Sequence, residues 1–317
     1  MVLDDRYLQK IKNTSFQPIF ILGFHRSGTS VLYKILAETK KFNTITAYHN
    51  IKYDELLYNY FNEKENKAKQ EINNYLMKHG QTDRGIDKLK LSSEFKEEYR
   101  FIFTNKNYKP KINQNNLELF KQMCKKIQYI SKNDKPLLLK NPYDYPNFIF
   151  IKKNFPESKL IFIHRNPLKV INSNTKSFRN LIYKKNYYSA LLSKDYKKII
   201  QNPLLMTLYK VYLKTTTFLS CIHTVKQFRK KTDYFLENIS KIDNEDYITL
   251  KYEDLCEKPD IEIEKIIKFL KIKPEGKINY SKKIKKRNVE LIKELKILTP
   301  YIQKKLYKYN KYFNYRY

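Results

Sequence analysis

The chain has 317 residues, 41% of them hydrophobic, which is enough to bury one sizeable core and makes one large α/β domain the simplest count. Five glycines and eleven prolines leave no flexible linker, and no collagen-like, heptad or other internal repeat is present, so fibrous and solenoid classes are excluded. The formal charge of +32, from 64 basic against 32 acidic residues, suits attraction of a polyanionic cosubstrate and an acidic acceptor, or equally reflects a lysine-biased composition.

Along the chain, Met1 to Lys12 is charged and lacks the apolar stretch of a signal peptide. Ile19–Leu22 then reads as a buried strand. It ends at Gly23; Gly28 follows five positions later, just before the helical pattern Val31, Leu32, Ile35, Leu36. A strand, a glycine-bounded turn and a helix start form a phosphate cradle, because free backbone N–H groups and the positive helix end converge there. The hydroxyls of Ser27, Thr29 and Ser30 and the guanidinium of Arg26 add charge-assisted donors. The spacing is that of a Walker loop, but Thr29 stands where that loop carries its lysine, so the turn is poorly equipped for ATP hydrolysis.

Further candidate strands are Thr44–Ala47, Leu137–Leu139, Leu160–Ile163 and Tyr247–Leu250, separated by helical stretches. That alternation predicts a parallel sheet with crossover helices on both faces. Residues 51–134 and 176–244 read as mainly helical insertions that build an acceptor pocket above the strand ends. Lys140 closes the third strand, in Lys140-Asn-Pro142. Arg165 follows the fourth, and Pro167 suits the first turn of the next helix. Ser173 lies roughly 9 Å up that helix, so Arg165 and Ser173 can meet on one phosphate. By strand alternation His164 points away from Arg165. Leu208, Val211, Tyr212, Thr215 and Leu219 recur at helical spacing and are expected to pack into the core. The tail interleaves lysine and tyrosine from Leu295 to Tyr317 and is expected to dock as an amphipathic helix rather than stack on a ligand.

These residues resemble the PAPS-dependent sulfotransferases, in a divergent, bacterial-type branch. That family carries R/K-S-G-T-T/S after a strand to hold the 5′-phosphosulfate, similar to Arg26 to Ser30 here. Its R-x-P/A-x-x-x-x-x-S element for the 3′-phosphate is similar to Arg165 to Ser173. Lys140-Asn-Pro142 resembles a K-x-P element, and Ile248 to Leu255 with Pro259 resembles the family's late strand, Y-E-D-L turn and helix. The glycine-rich R-K-G-x-x-G-D-W-K loop of the cytosolic branch is missing; the region reads Ser281-Lys-Lys-Ile-Lys-Lys-Arg-Asn288, more simply a solvated basic stretch than a phosphate site.

The resemblance implies an α/β, P-loop-like three-layer fold with a central parallel sheet and helical insertions, in a single domain over residues 1–317. It implies a sulfotransferase moving a sulfuryl group from PAPS to an acceptor hydroxyl or amine by in-line displacement. Arg26, Ser27, Gly28, Thr29, Ser30, Arg165 and Ser173 would bind PAPS and its product PAP, with Arg26 and Lys140 stabilising transferring charge and no metal required. A general base is needed, and His49, after the second strand, is the first candidate, with Asp54 and Glu55 as alternatives. His25 either touches the sulfuryl group or shapes the turn.

The acceptor, whether carbohydrate, lipid or small molecule, is not encoded in these motifs. The competing class is a non-catalytic phosphate- or nucleic-acid-binding protein on the same fold. Nucleic acid is disfavoured because the chain has no zinc-ligand spacing, RNA-binding motif or contiguous basic arm. Cys124, Cys221 and Cys256 lie far apart with no C-x-x-C pair, which fits a reducing compartment. The longest apolar region, Leu204 to Val225, is interrupted by Lys210 and Lys214 and falls short of a membrane span. A cytoplasmic location is expected.

Overall fold

The apolar runs become the strands of one parallel sheet. The structure, a computed structural model, describes residues 2–84, 89–274, 279–284 and 290–316. The strands are β1 (Pro18–Leu22), β2 (Asn43–Thr44), β3 (Leu137–Lys140), β4 (Lys159–His164) and β5 (Tyr247–Lys251), in the order β2-β3-β1-β4-β5. Every residue of β1 and β3 is buried, as strands covered on both faces require.

Side-chain alternation divides the core into two layers. Phe20, Leu22, Leu137, Leu139, Leu160 and Phe162 face one, and Ile19, Ile21, Leu138, Ile161, Ile163 and Leu250 face the other. The first layer is filled by aromatic side chains of the helical segments, among them Tyr99, Phe120, Tyr145 and Phe235. The second lies under the helices Thr29–Glu38 and Pro259–Phe269. Phe162 alone meets Tyr145, Phe148, Phe235 and Tyr247. Truncating it to alanine would cost about 3–5 kcal/mol.

Strand order positions the site. β1 lies between β3 and β4, with Ile21 level with Lys140 and Leu22 level with Phe162. The chain leaves β1 toward the β2 side and leaves β3 toward the β4 side, which opens a crevice at the carboxyl ends where such sheets bind ligands. Lys140, the loop after Leu22, and Arg165 therefore emerge side by side.

Two expectations need correction. The second strand is only Asn43–Thr44, because Thr46 starts a helix, Ala47–Ile51, instead of continuing the strand. The Thr46 hydroxyl accepts the His49 N–H and His49 Nδ1 accepts the Thr46 N–H, a capping box that satisfies both donors. In the long helix Pro203–Asn238, the residues expected in the core, Leu208, Val211, Tyr212, Thr215 and Leu219, are exposed. The buried line runs instead through Leu213, Thr217, Cys221, Val225, Phe228, Thr232 and Phe235, at three- and four-residue spacing. Apolar residues occupy more than one face of the first half of this helix, so period alone does not select the buried face. Among the described residues, no helix is long and apolar enough to cross a membrane.

The tail docks. Tyr309 is buried with its hydroxyl 2.9 Å from His164 Nδ1, and the Phe313 ring stacks on His164 at 4.1 Å. Asn166 Nδ2 donates to the Arg316 carbonyl at 3.2 Å. His164 thus faces an aromatic cluster, and burial lowers its pKa to about 3.

Candidate active site

The loop after β1 is held by close packing. A Cβ on Gly23 would lie 2.6 Å from the Ile163 carbonyl oxygen, so only glycine lets the turn sit against β4. Gly28, at φ 101°, is the N-cap of the helix Thr29–Glu38, and the Tyr252 ring fills the space a side chain would need. No side chain caps that helix, so its first N–H groups remain available to an anion. Arg26 adopts φ 70°, a left-handed conformation that costs about 1–2 kcal/mol in a residue with a Cβ.

The two anion motifs meet here. Arg26 Nε donates to Ser173 Oγ at 3.0 Å, and Arg165 donates from its guanidinium to the Arg26 carbonyl at 2.8 Å. The Arg165 guanidinium lies 4.4 Å from the Tyr252 ring centroid, and its buried Nε has no hydrogen-bond partner among the described residues. Together with Gly28, Thr29, Ser30 and Lys176 these residues line a cavity of about 610 Å³. Lys283 reaches the same cavity and pairs with Glu38. The rest of the basic stretch, Lys285 to Asn288, lies outside the described residues.

A second cavity, of about 440 Å³, adjoins the first through Arg26, Thr29, Ser30 and Ser177. One side is apolar, with Phe101, Phe178, Leu181 and Leu192; the other carries Glu97, Glu98, Arg100 and His25. Lys140, fully buried at the end of β3, links the two cavities. Its ammonium donates to Ser30 Oγ at 3.0 Å and lies 3.1 Å from Glu98 Oε1. Glu98 Oε2 accepts from Arg100 Nε at 2.7 Å. Burial alone would raise the Glu98 pKa; Lys140 and Arg100 overcome it and hold the carboxyl well below its ordinary range. Glu97 accepts from the Tyr188 hydroxyl at 2.8 Å.

Glu98 reaches this position through its neighbour. The Tyr99 hydroxyl donates to Asp144 Oδ2 at 2.6 Å, and the same oxygen accepts from Asn141 Nδ2 at 2.6 Å. Asp144 thereby ties the segment after Ser93 to the turn after Lys140. Burial of this carboxyl raises its pKa to about 6, against the donors Tyr99, Ile112, Asn147 and Asn141.

Of the residues singled out in the sequence, Arg26, Gly28, Thr29, Ser30, Arg165 and Ser173 share the first cavity, and Lys140 touches its edge through Ser30. Ser27 does not line either cavity. Its hydroxyl donates to the Phe24 carbonyl at 2.7 Å and its N–H to the same oxygen at 3.1 Å, so it closes the turn. His49 also lines neither; it serves the capping box, and burial lowers its pKa to about 3. Asp54 pairs with Lys106 at 2.7 Å and Glu55 with Lys52 at 3.1 Å, both outside the two cavities. His25 lines the second cavity, with its ring 4.9 Å from that of Tyr143, and burial lowers its pKa to about 3. The residues the motifs missed are Glu97, Glu98 and Arg100. Their signal was a pair of adjacent carboxylates in a chain with twice as many bases as acids.

Fold and cavities define a P-loop-like α/β protein with a basic crevice beside a second cavity. A sequence profile of the Sulfotransferase family matches residues 18–275, and the chain belongs to that family. Sulfotransferase STF9 from Mycobacterium avium superposes with a TM-score of 0.61 at 13% identity, over 98% of this chain and 81% of that one. STF1 from Mycobacterium tuberculosis H37Rv superposes at 0.56 and 10% identity, over 84% and 71%. At such identities the likeness extends to the fold. No curated protein sequence matches the chain.

Proposed function

We propose that the protein is a PAPS-dependent sulfotransferase, with PAPS in the larger cavity, the acceptor in the smaller, and Glu98 as general base. The observation that carries this reading is the convergence of two separate anion motifs, Arg26 on Ser173 at 3.0 Å and Arg165 on the Arg26 carbonyl at 2.8 Å, beside a cavity holding a carboxylate. The residues fit a doubly phosphorylated ligand. The buried Arg165 Nε has no partner among the described residues, and the uncapped helix after Gly28 offers N–H groups to a second anion.

PAPS supplies a sulfuryl group whose S–O bond to the 5′-phosphate breaks as the acceptor oxygen bonds to sulfur, and PAP leaves with the electron pair. Arg165 and Ser173 would hold the 3′-phosphate. Arg26, Thr29, Ser30 and the helix N–H groups would hold the phosphosulfate, and Lys140 would neutralise charge on the leaving oxygen. Glu98 takes the proton of the acceptor hydroxyl. Its depressed pKa makes it a weak base while Lys140 sits on it. An anion at Ser30 draws the Lys140 ammonium away and so raises the basicity of Glu98 when the donor is in place. His49 lines neither cavity and is engaged in its capping box, so this reading assigns the base role to Glu98 instead. His25 is placed to contact the sulfuryl group.

None of the three cysteines is in a disulfide, which supports a reducing, cytoplasmic setting for this reaction. No observation among the described residues favours the non-catalytic alternative. Calorimetry with PAP tests the reading: tight 1:1 binding supports it, and weak binding shared with any polyanion overturns it.

A further inference from the structure

A third cavity, of about 1050 Å³, lies outside the site described so far. Among its described lining residues seven are basic and two acidic. One acid is already engaged, since Arg229 Nε lies 3.3 Å from Asp233 Oδ2. Lys109, Lys226, Lys230 and Lys231 have no ion-pair partner among the described residues. Lys226 and Lys230 stand one helical turn apart on one wall, with Lys109 and Lys111 on the facing segment. So many cations without ion-pair partners in one groove create a local positive field that attracts an anion.

The groove and the acceptor cavity share one lining residue. Tyr143 lines both. Its ring centroid lies 5.5 Å from the Arg100 guanidinium, inside the acceptor cavity, and 5.9 Å from the Lys231 ammonium, inside the groove. Lys231 is half-buried and rests on Phe24 as well, at 5.9 Å, and burial lowers its pKa. Tyr234 and Tyr301 add aromatic surface further along.

We propose that this groove binds the acceptor beyond its reacting hydroxyl, and that the acceptor is an acidic oligosaccharide. The proposal rests on the sulfotransferase reading above and adds a substrate class to it. An occupant that spans both cavities needs repeated negative charge for the lysines, flat apolar faces for the tyrosines, and a free hydroxyl to present at Glu98. A carboxylated sugar chain has all three on every unit. DNA satisfies the first two but has no free hydroxyl within the chain, so it would occupy the groove without serving the adjoining cavity.

The test uses the whole protein and a fluorescein-labelled decamer of oligogalacturonate, read by fluorescence anisotropy. A neutral dextran oligomer and a single-stranded DNA decamer are compared at the same salt. Wild type is expected to bind the oligogalacturonate, more weakly as salt rises, and to ignore the dextran. The double variant Lys226→Glu with Lys230→Glu changes two exposed side chains without ion-pair partners, and it should bind the decamer at least about tenfold more weakly. Lys109→Glu with Lys111→Glu, on the opposite wall, should do the same if the first variant folds poorly. PAP affinity should be unchanged in both. Absence of wild-type binding, unaltered binding in folded charge-reversed variants, or tighter binding of DNA than of oligogalacturonate would each overturn the assignment. Failure of wild type to bind PAP would instead refute the underlying sulfotransferase reading, so the two failures are distinct.

Discussion

The Lys140 ammonium stands 3.1 Å from the Glu98 carboxylate, and no motif joins the two in sequence. Lys140 ends a central strand; Glu98 lies in the segment between two helices of the first insertion. Both are buried; Glu98 keeps Arg100 as a second partner, whereas Lys140 has Glu98 as its one ion-pair partner among the described residues, so removing the carboxylate leaves the ammonium uncompensated. The same ammonium touches Ser30 on the loop after β1, so in the proposed mechanism an anion bound at that loop would act on the carboxylate through Lys140.

Glu98→Gln keeps the shape and removes the base. Turnover should fall by about 10²–10⁴-fold, the range general-base catalysis contributes, while PAP affinity changes little. Steady-state sulfuryl transfer and PAP calorimetry on one preparation check both. A Gln variant with wild-type turnover would remove Glu98 from the mechanism.

Lys140→Ala should lower turnover by roughly 100-fold or more, because contact with developing charge strengthens in the transition state. PAP affinity should fall less. The variant also leaves Glu98 buried without its main partner, so its thermal midpoint should drop too. Lys140→Ala with Glu98→Gln should recover part of that stability without recovering turnover, which separates the structural from the chemical role.

Much of this site was legible because parallel strands announce their own carboxyl ends. Ile19–Leu22, Leu137–Leu139 and Leu160–Ile163 are unbroken apolar runs, and the chain just past each one reaches the crevice: the Gly23 turn, Lys140, and Arg165 after the inward-facing His164. Glu98 gave no such cue. It is delivered by the Tyr99–Asp144 hydrogen bond and by an isolated antiparallel bridge between Thr46 and Lys96, contacts that exist only after folding. The exposed face of the long helix was misread for a related reason. Leu208 and Leu213 are equally apolar, and only the neighbouring helices decide which is buried.

His49→Ala should leave turnover near wild type and act on stability instead. The capping box loses its reciprocal acceptor, at a cost of about 0.5–2 kcal/mol, read as a lower thermal midpoint. The pH dependence follows from the lowered pKa. His49 sits near 3 in the folded protein against its usual 6.5, so between those values the unfolded chain binds the proton and the native one does not. Stability is therefore fully present above about 6.5 and falls as pH drops toward 3. His25 and His164 are shifted the same way, so the variant should show a shallower loss of stability on acidification, not its disappearance. A large loss of turnover at neutral pH with an unchanged thermal midpoint would return His49 to the reaction.

Arg165 and Ser173 provide the sharpest test of which phosphate goes where. Arg165→Ala removes a guanidinium that also braces the loop through the Arg26 carbonyl, whereas Ser173→Ala removes a single hydroxyl that holds Arg26 Nε. A charged hydrogen bond is worth about 1.5–3 kcal/mol, so the arginine change should weaken PAP binding about ten- to a hundredfold, and the serine change less. Adenosine 5′-phosphosulfate lacks the 3′-phosphate and should be weakened much less than PAP by either change, losing only what the loop support contributes. Equal losses for the two nucleotides would mean that Arg165 acts by supporting the loop and not by contacting the 3′-phosphate. Arg165→Lys adds a second discrimination: it restores the charge but not the forked geometry that spans phosphate and carbonyl, so it should recover only part of the PAP affinity.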